Sequence, residues 1–355
     1  MGIMAEPLFP DECLPRAAAW RTTENLWQHL AVRPETKVIL VKEGELVLDP
    51  RVDRARMLEL QAPAIVDLLP QTDSAPLFLG AQIDPTTPEP ATTAPVQFPQ
   101  APAYFAVIAD EFSAALISSL ALADRADTPS HDIIREVDAD LSGIGSDLRG
   151  AGTWRLATLR EIGDDLDPAE LDRALTALGL TAWHRHARFC SSCGAATTMI
   201  ESGWVRQCTQ CARAHYPRTD PAMIVTVVDD QDRLLLAHNA AWPQRRFSLL
   251  AGFVEPGETV EQAVRREVAE ETGVGVDRIG YTASQPWPFP ASLMLAFRAH
   301  ATSSHIKVDG REIIAARWFS RDELRAAMNT GDVKLPASFS IARMLIERWL
   351  ADYSG

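Results

Sequence analysis

The spacing of apolar and polar positions along this chain predicts most of its elements. Residues 36–49, "TKVILVKEGELVLD", hold two short apolar runs about Glu43-Gly44, which predicts two strands and a turn. "APLFLGAQID" and "AYFAVIAD" also read as strands, separated by "PTTPEPATTAPVQFPQAP", a Pro/Thr-rich surface insert. "DEFSAALISSLALADRAD" has helical spacing, and "DPAELDRALTALGLTAWHRHA" predicts a stronger helix opened by Asp167 and Pro168. Further on, "PAMIVTVVDDQDRLLLAHN" reads as strand, acidic turn, strand, and "FSLLAGFVEPGE" as a strand entering a loop. "TVEQAVRREVAEETG" is a helix, "SLMLAFRAHA" and "AARWF" are strands, and "SFSIARMLIERWLADY" is a closing helix.

At 355 residues the chain is long enough for two or three domains, and 46% hydrophobic content is globular. A net charge of −14 argues against a general nucleic-acid-binding surface, so a basic footprint would have to be local. No apolar run has the length of a membrane span, and "MGIMAEPLFPDECLPRAAAW" carries acids and prolines where a secretory signal has a basic start and an apolar core. A cytoplasmic protein with no membrane partner is expected.

Of the five cysteines, Cys13 stands alone and reads as an ordinary small residue. Cys190, Cys193, Cys208 and Cys211 form two C-x-x-C pairs with 14 residues between them. Two such knuckles complete a tetrahedral four-thiolate site that suits one structural Zn²⁺, with no position left for water. His184 and His186 are then surface or packing residues. The intervening stretch has a single basic residue, Arg206, which favours a structural staple over a DNA reader.

The chemistry is concentrated in "GFVEPGETVEQAVRREVAEETGV", residues 252–274. Thr259 and Gln262 are placed as a capping box, and Gly273 as the stop. Glu267, Glu270 and Glu271 fall at i, i+3 and i+4, which stacks three carboxylates on one face. Such crowding asks for a cation, and oxygen ligands suit Mg²⁺ or Mn²⁺. Arg266 and Glu258 are placed to orient and balance the acids.

The spacing Gly252, five residues, Glu258, seven residues, then Arg266-Glu267-Val268-x-Glu270-Glu271-x-Gly273-Val274 resembles the Nudix box throughout. That resemblance implies a mixed sheet sandwiched by helices, and hydrolysis of nucleoside diphosphates linked to another moiety. It assigns metal binding to Glu267, Glu270 and Glu271 with the Ala251 carbonyl nearby, and points to a later glutamate, Glu312. "SQPWPFPAS", with the ribbon, "YPRTDPA" and "SIARMLIE", is similar to NADH pyrophosphatases of the NudC type. Trp287 offers a flat face to a base, Gln285 and Ser292 offer hydrogen bonds, and the prolines make the segment a pinned loop unlike a central strand. The resemblance adds Phe253 as a second stacking face, and Tyr216, Glu271, Glu312, Ala342 and Arg160 as substrate contacts. It also implies a homodimer with shared sites.

The fold expected is α/β in the broad α+β sense. An N-terminal α/β domain spans 1–185, a Cys₄ zinc ribbon 186–216 and a Nudix domain 217–355. The expected reaction splits NADH or NAD⁺ into nicotinamide mononucleotide and AMP, and extends to the NAD cap of RNA. Two other readings stand beside it. One is hydrolysis of ADP-ribose or dinucleoside polyphosphates, against which the loop array argues. The other is an inactive ligand-sensing or RNA-binding module, against which the intact glutamate set argues.

Overall fold

The computed structural model describes residues 14–49, 55–64, 76–82, 98, 101–109 and 155–351. The helix expected within 110–127, Cys13 and most of the Pro/Thr insert lie outside them. The chain forms two compact units, the first ending at Arg218 and the second beginning at Thr219.

In the first unit, strands β1 (Lys37–Lys42) and β2 (Glu45–Leu48) form the expected hairpin, with Glu43 and Gly44 at left-handed φ of 52° and 87°. Together with β3 (Glu59–Gln61), β4 (Leu77–Ala81), β5 (Ala103–Ile108) and β6 (Arg155–Ala157) they make a six-stranded sheet. Only β1 and β5 run parallel; the other pairings are antiparallel. Val38, Leu40, Phe78, Phe105 and Val107 supply its core.

The helix Pro168–His186 starts where expected. Asp167 accepts from the Glu170 N–H at 2.8 Å, the Glu170 carboxylate reaches back to the Asp167 N–H at 3.3 Å, and Pro168 needs no N–H there. Glu170 and Arg173 are buried, and each has an ion partner, Arg56 at 3.1 Å and Glu59 at 2.8 Å. Beyond the helix, β7 (Thr197–Ile200), β8 (Val205–Cys208) and β9 (Ala214–His215) form a small antiparallel sheet. His184 is 3% exposed, bonding the Gly203 carbonyl at 2.8 Å through Nε2 and Arg206 Nη1 at 3.0 Å through Nδ1. Arg206 also donates to the Thr197 hydroxyl and carbonyl, both at 2.7 Å. The one basic residue between the cysteine pairs is therefore an internal tie from β8 to the long helix.

In the second unit, β10 (Asp220–Val228) is the central strand. It runs parallel to β14 (Ser292–Ala301) on one side, and antiparallel to β11 (Leu234–Asn239) and β12 (Leu250–Phe253) on the other. β13 (Val276–Trp287) and β15 (Ile313–Phe319) close the two edges. Successive residues of β10 face opposite ways. Met223, Val225 and Val227 pack with Ala263, Val264 and Val268 of the helix Val260–Thr272. Ile224 and Val228 pack with Ile341, Leu345 and Trp349 of the helix Ile341–Ala351. A mixed sheet between helices follows directly from a strand that is apolar on both faces.

Two elements depart from or add to the sequence reading. Ser284–Trp287, expected in a loop, end the strand β13, which runs antiparallel to β14. β13 is an edge strand, where Pro286 needs no ladder partner for its missing N–H. The remaining residues Pro288–Ala291 form the turn, with a cis Phe289–Pro290 bond. The helix Arg321–Thr330, unassigned from sequence, has a Ser320–Glu323 capping box and Gly331 at its end.

Candidate active site and metal centres

The helix Val260–Thr272 is fixed at both ends by local chemistry. Thr259 and Gln262 exchange hydrogen bonds at 2.7 and 3.2 Å, and Gly273 takes the left-handed cap. Its buried Ala263, Val264 and Val268 press it onto the sheet, which sets the direction of every acid it carries.

The three helix glutamates are not equivalent. Glu271 is 6% exposed, and its Oε2 is shielded with no hydrogen-bond partner. Burial first, then the charges of Glu267, Glu312, Asp309 and Glu270, push its carboxyl up to about 8. Burial also raises Glu267. Glu270 differs: its side chain is 61% exposed and pairs with Arg266 at 3.1 Å. The inner carboxylates are thus Glu267 and Glu271, one turn apart, with Glu270 at the rim.

Arg266 ties these groups to the strand-to-helix loop. It reaches Glu258 at 2.8 Å, Glu267 at 2.9 Å and the Phe253 carbonyl at 2.9 Å. The Arg266 hydrogen bond holds the Glu258 carboxyl below its usual range, and Glu258 in turn holds Arg266 charged. Gly252, paired with Met223, faces this cluster: a Cβ there would sit 2.0 Å from Glu267 Oε1. Ala251 precedes it on β12, and Phe253 follows, 55% exposed.

Glu312 is exposed and stands near enough to raise both Glu267 and Glu271. Two residues that the sequence reading did not single out hold it. Asp309 accepts the Glu312 and Ile313 N–H groups at 3.1 and 2.8 Å, and its own N–H meets the Glu271 carbonyl at 3.4 Å. Asn239 donates to Glu312 Oε1 at 3.3 Å. Aspartate three residues before a glutamate is an Asx-type loop signal, but only the fold brings Asn239 to it.

Among the described residues, the cysteines alone form a compact group of three or more potential metal ligands; the glutamates do not close on one point. The donor chemistry nevertheless fits a divalent cation. A shielded carboxylate oxygen lacks any donor, two raised carboxylates stand together, and a glycine leaves room for them.

The array residues are knit to the start of the last helix. Gln285 is 1% exposed; it donates to the Phe339 carbonyl at 2.8 Å and accepts the Ile341 N–H at 2.7 Å. One donor and one acceptor of its amide are engaged within the fold, so Gln285 positions the start of the last helix. Trp287 is half-buried, stacked on Phe339 with centroids 5.5 Å apart, and edge-on to Phe289 at 5.2 Å. Ser292 lies opposite Trp287 in the ladder and is buried. Ala342 is buried among Ile224, Ile341 and Leu345. Tyr216, 68% exposed, and the exposed Arg160 belong to the first unit.

The cysteine cluster has the form expected of it. Sγ atoms of Cys190 and Cys211 lie 3.7 Å apart, Cys193 and Cys208 3.4 Å, and Cys193 and Cys211 3.6 Å. A tetrahedron of thiolates about Zn²⁺ has edges of about 3.8 Å. The Ser192 N–H helps bring the Cys190 thiol down to about 5, as a thiolate ligand requires. These residues fit a closed structural zinc site.

Residues 217–339 match the NUDIX domain, and residues 185–216 match the NADH pyrophosphatase zinc ribbon domain. The chain is 45% identical over 223 residues to the NAD-capped RNA hydrolase NudC of Mycobacterium bovis, covering 60% of this chain and 68% of that protein. It is 44% identical over the same length and coverage to the protein of that name from Mycobacterium tuberculosis. Against the human NAD-capped RNA hydrolase NUDT12 it is 43% identical over 186 residues, 49% of this chain and 40% of that protein. No helix among the described residues is long and apolar enough to cross a membrane.

Proposed function

The chain belongs to the NudC family of Nudix hydrolases, and on that premise we propose that it hydrolyses the central diphosphate of NADH and NAD⁺ and removes the NAD cap from RNA 5′ ends. The observation that carries this reading is the buried Glu271 oxygen with no partner, beside Glu267 and the Gly252 gap, on the helix of the Nudix box. Mg²⁺ or Mn²⁺ held by Glu267, Glu270, Glu271 and Glu312, with the Ala251 carbonyl, would neutralise the diphosphate and lower the pKa of the attacking water. Arg266 and Glu258 keep the loop that follows β12 in register with those acids. Water oxygen joins one phosphorus, the bridging oxygen leaves with the other, and nicotinamide mononucleotide and AMP result.

Phe253 and Trp287 are proposed as ring-stacking faces, with Ser292 and Ala342 beside them, and Tyr216 and Arg160 are proposed as further substrate contacts. We read the domains as 1–185, 186–216 and 217–355, the assembly as a cytoplasmic homodimer with shared sites, and the ribbon as a structural staple. The test is a side-by-side assay of purified protein on NADH, ADP-ribose and NAD-capped RNA with Mg²⁺ or Mn²⁺. Preferred cleavage of NADH and capped RNA is expected; preference for ADP-ribose would defeat the assignment.

A further inference from the structure

We propose that the loop 240–247, with Lys334 beside it, is a contact surface for the single-stranded 5′ region of the RNA whose cap occupies the site. This deepens the functional reading above and rests on it. Most arginines of the second unit with a nearby acid are paired: Arg233 with Asp229 at 2.6 Å, Arg266 with Glu258 at 2.8 Å, Arg343 with Glu347 at 2.6 Å, and Arg321 with Asp232. Arg245, Arg246 and Lys334, like Arg265 and Arg298 elsewhere on the unit, have no carboxylate partner among the described residues, but these three adjoin one another at the Arg246–Lys334 bridge.

The backbone nevertheless holds these three together. Lys334 N–H donates to the Arg245 carbonyl at 2.7 Å, and Phe247 N–H to the Lys334 carbonyl at 3.0 Å. No acid occurs from 239 to 250, and the neighbouring Asp332 is taken up by the Thr330 hydroxyl at 2.8 Å. Arg245 and Lys334 are exposed, and the Arg246 guanidinium lies 5.7 Å from the ring of half-buried Trp242. Arg245 Nη1 donates to the Gly331 carbonyl at 3.5 Å, and cations carried on adjoining backbone are stabilised by an anion that meets them.

The surface is continuous with the candidate site. The Ala240 N–H bonds the Glu312 carbonyl at 2.9 Å, the Asn239 amide bonds Glu312 Oε1 at 3.3 Å, and the Trp242 N–H bonds the Asn239 carbonyl at 3.0 Å. A ledge of cations and one indole therefore begins at Glu312. A free dinucleotide has a single diphosphate, and that belongs at the glutamates. A ligand with further phosphates and further flat rings, leading away from the cap, is single-stranded RNA. In a chain of net charge −14 this gives the local basic footprint that composition alone denies.

The test neutralises the three cations with Arg245→Asn, Arg246→Gln and Lys334→Gln in the full chain. Binding of a labelled ten-nucleotide single-stranded RNA is measured by anisotropy over a salt series. Turnover is measured on NADH and on the same RNA carrying an NAD cap. Losing about three phosphate contacts should flatten the log–log salt slope by about 2. We expect kcat/KM on capped RNA to fall roughly tenfold, on the scale of 1.4 kcal/mol, with NADH turnover within about twofold of wild type. Unchanged RNA binding, an equal loss on both substrates, or conversion of a dimer to a monomer would each overturn the proposal. Failure of the wild type on capped RNA would instead defeat the RNA part of the functional reading, while the anisotropy still decides the ledge. A charge-restoring Arg246→Lys variant with neutral neighbours should recover part of the binding if the surface reads phosphates.

Discussion

Two buried polar clusters in this protein have opposite characters. Around His184, Arg206, Thr197 and the Gly203 carbonyl, donors meet acceptors at 2.7–3.0 Å. Around Glu271, burial and like charge are left uncompensated and Oε2 has no partner, while Arg266 offsets only its neighbour Glu267. The first cluster joins a helix to the ribbon and asks for nothing further. The second is unfavourable as it stands and becomes favourable only when a cation arrives. Satisfaction marks scaffolding, and its lack marks the place where a ligand is expected.

Breaking each cluster should therefore give opposite results. Glu271→Gln removes a charge that burial opposes, so turnover of NADH should fall on the order of 10²–10³-fold. Its Tm without divalent cations should equal or exceed that of wild type. Paired measurement of kcat and Tm checks this, and a fall in Tm with normal kcat would reverse the contrast.

Arg206→Met strands His184 and the Thr197 groups. We expect a stability loss on the order of 3 kcal/mol, with turnover per folded molecule unchanged. Equilibrium denaturation together with active-site titration distinguishes the two effects.

Acid should act on the satisfied cluster as well. Burial, opposed by the Gly203 hydrogen bond and aided by the Arg206 charge, brings His184 from 6.5 down to about 4. The unfolded chain then takes up this proton first, so its contribution is whole above pH 6.5 and is lost as pH falls towards 4. Between pH 7 and pH 5 the loss should be roughly 2 kcal/mol, at 1.36 kcal/mol per pH unit. Hydrogen exchange of the helix amides around residues 177–184 reads it, and His184→Gln should flatten the profile.

A smaller effect is expected where a satisfied group borders the unsatisfied site. Gln285→Ala frees the Phe339 carbonyl and the Ile341 N–H, at about 1–2 kcal/mol. It should loosen Trp287 on Phe339, raising KM for NADH more than it lowers kcat. Gln285→Glu keeps the acceptor for Ile341 and should retain part of the effect on KM. Identical kinetics for wild type and Gln285→Ala would separate the array from the pocket.

Much of this is legible in the sequence alone. The strands around Glu43-Gly44, the helix opened by Asp167-Pro168, the capped acidic helix and the central strand from Asp220 follow from local rules of turn, cap and period. Those rules act within a few residues, so sequence displays them directly. The Cys₄ spacing was legible for the same reason. β13 was missed because its pattern is interrupted: bulges lie between Asp277 and Gly280 and between Tyr281 and Ala283, and one edge has no partner strand.

By itself the sequence determined which residues carry the chemistry: the glutamates, the arginine between them, the thiols and the aromatic array. Tertiary structure decided what each does. It turned Glu271 inward and Glu270 outward, although both lie on one helix, because the buried Val264 and Val268 fix the helix's rotation against the sheet. It engaged both ends of Gln285 with residues 54 and 56 positions away. It brought Asn239 to Glu312 across 73 residues of chain. Periodicity and spacing specify what a residue can offer locally. Which partner it meets, and whether any partner is left to it, depends on contacts between distant segments that exist only once the core has closed.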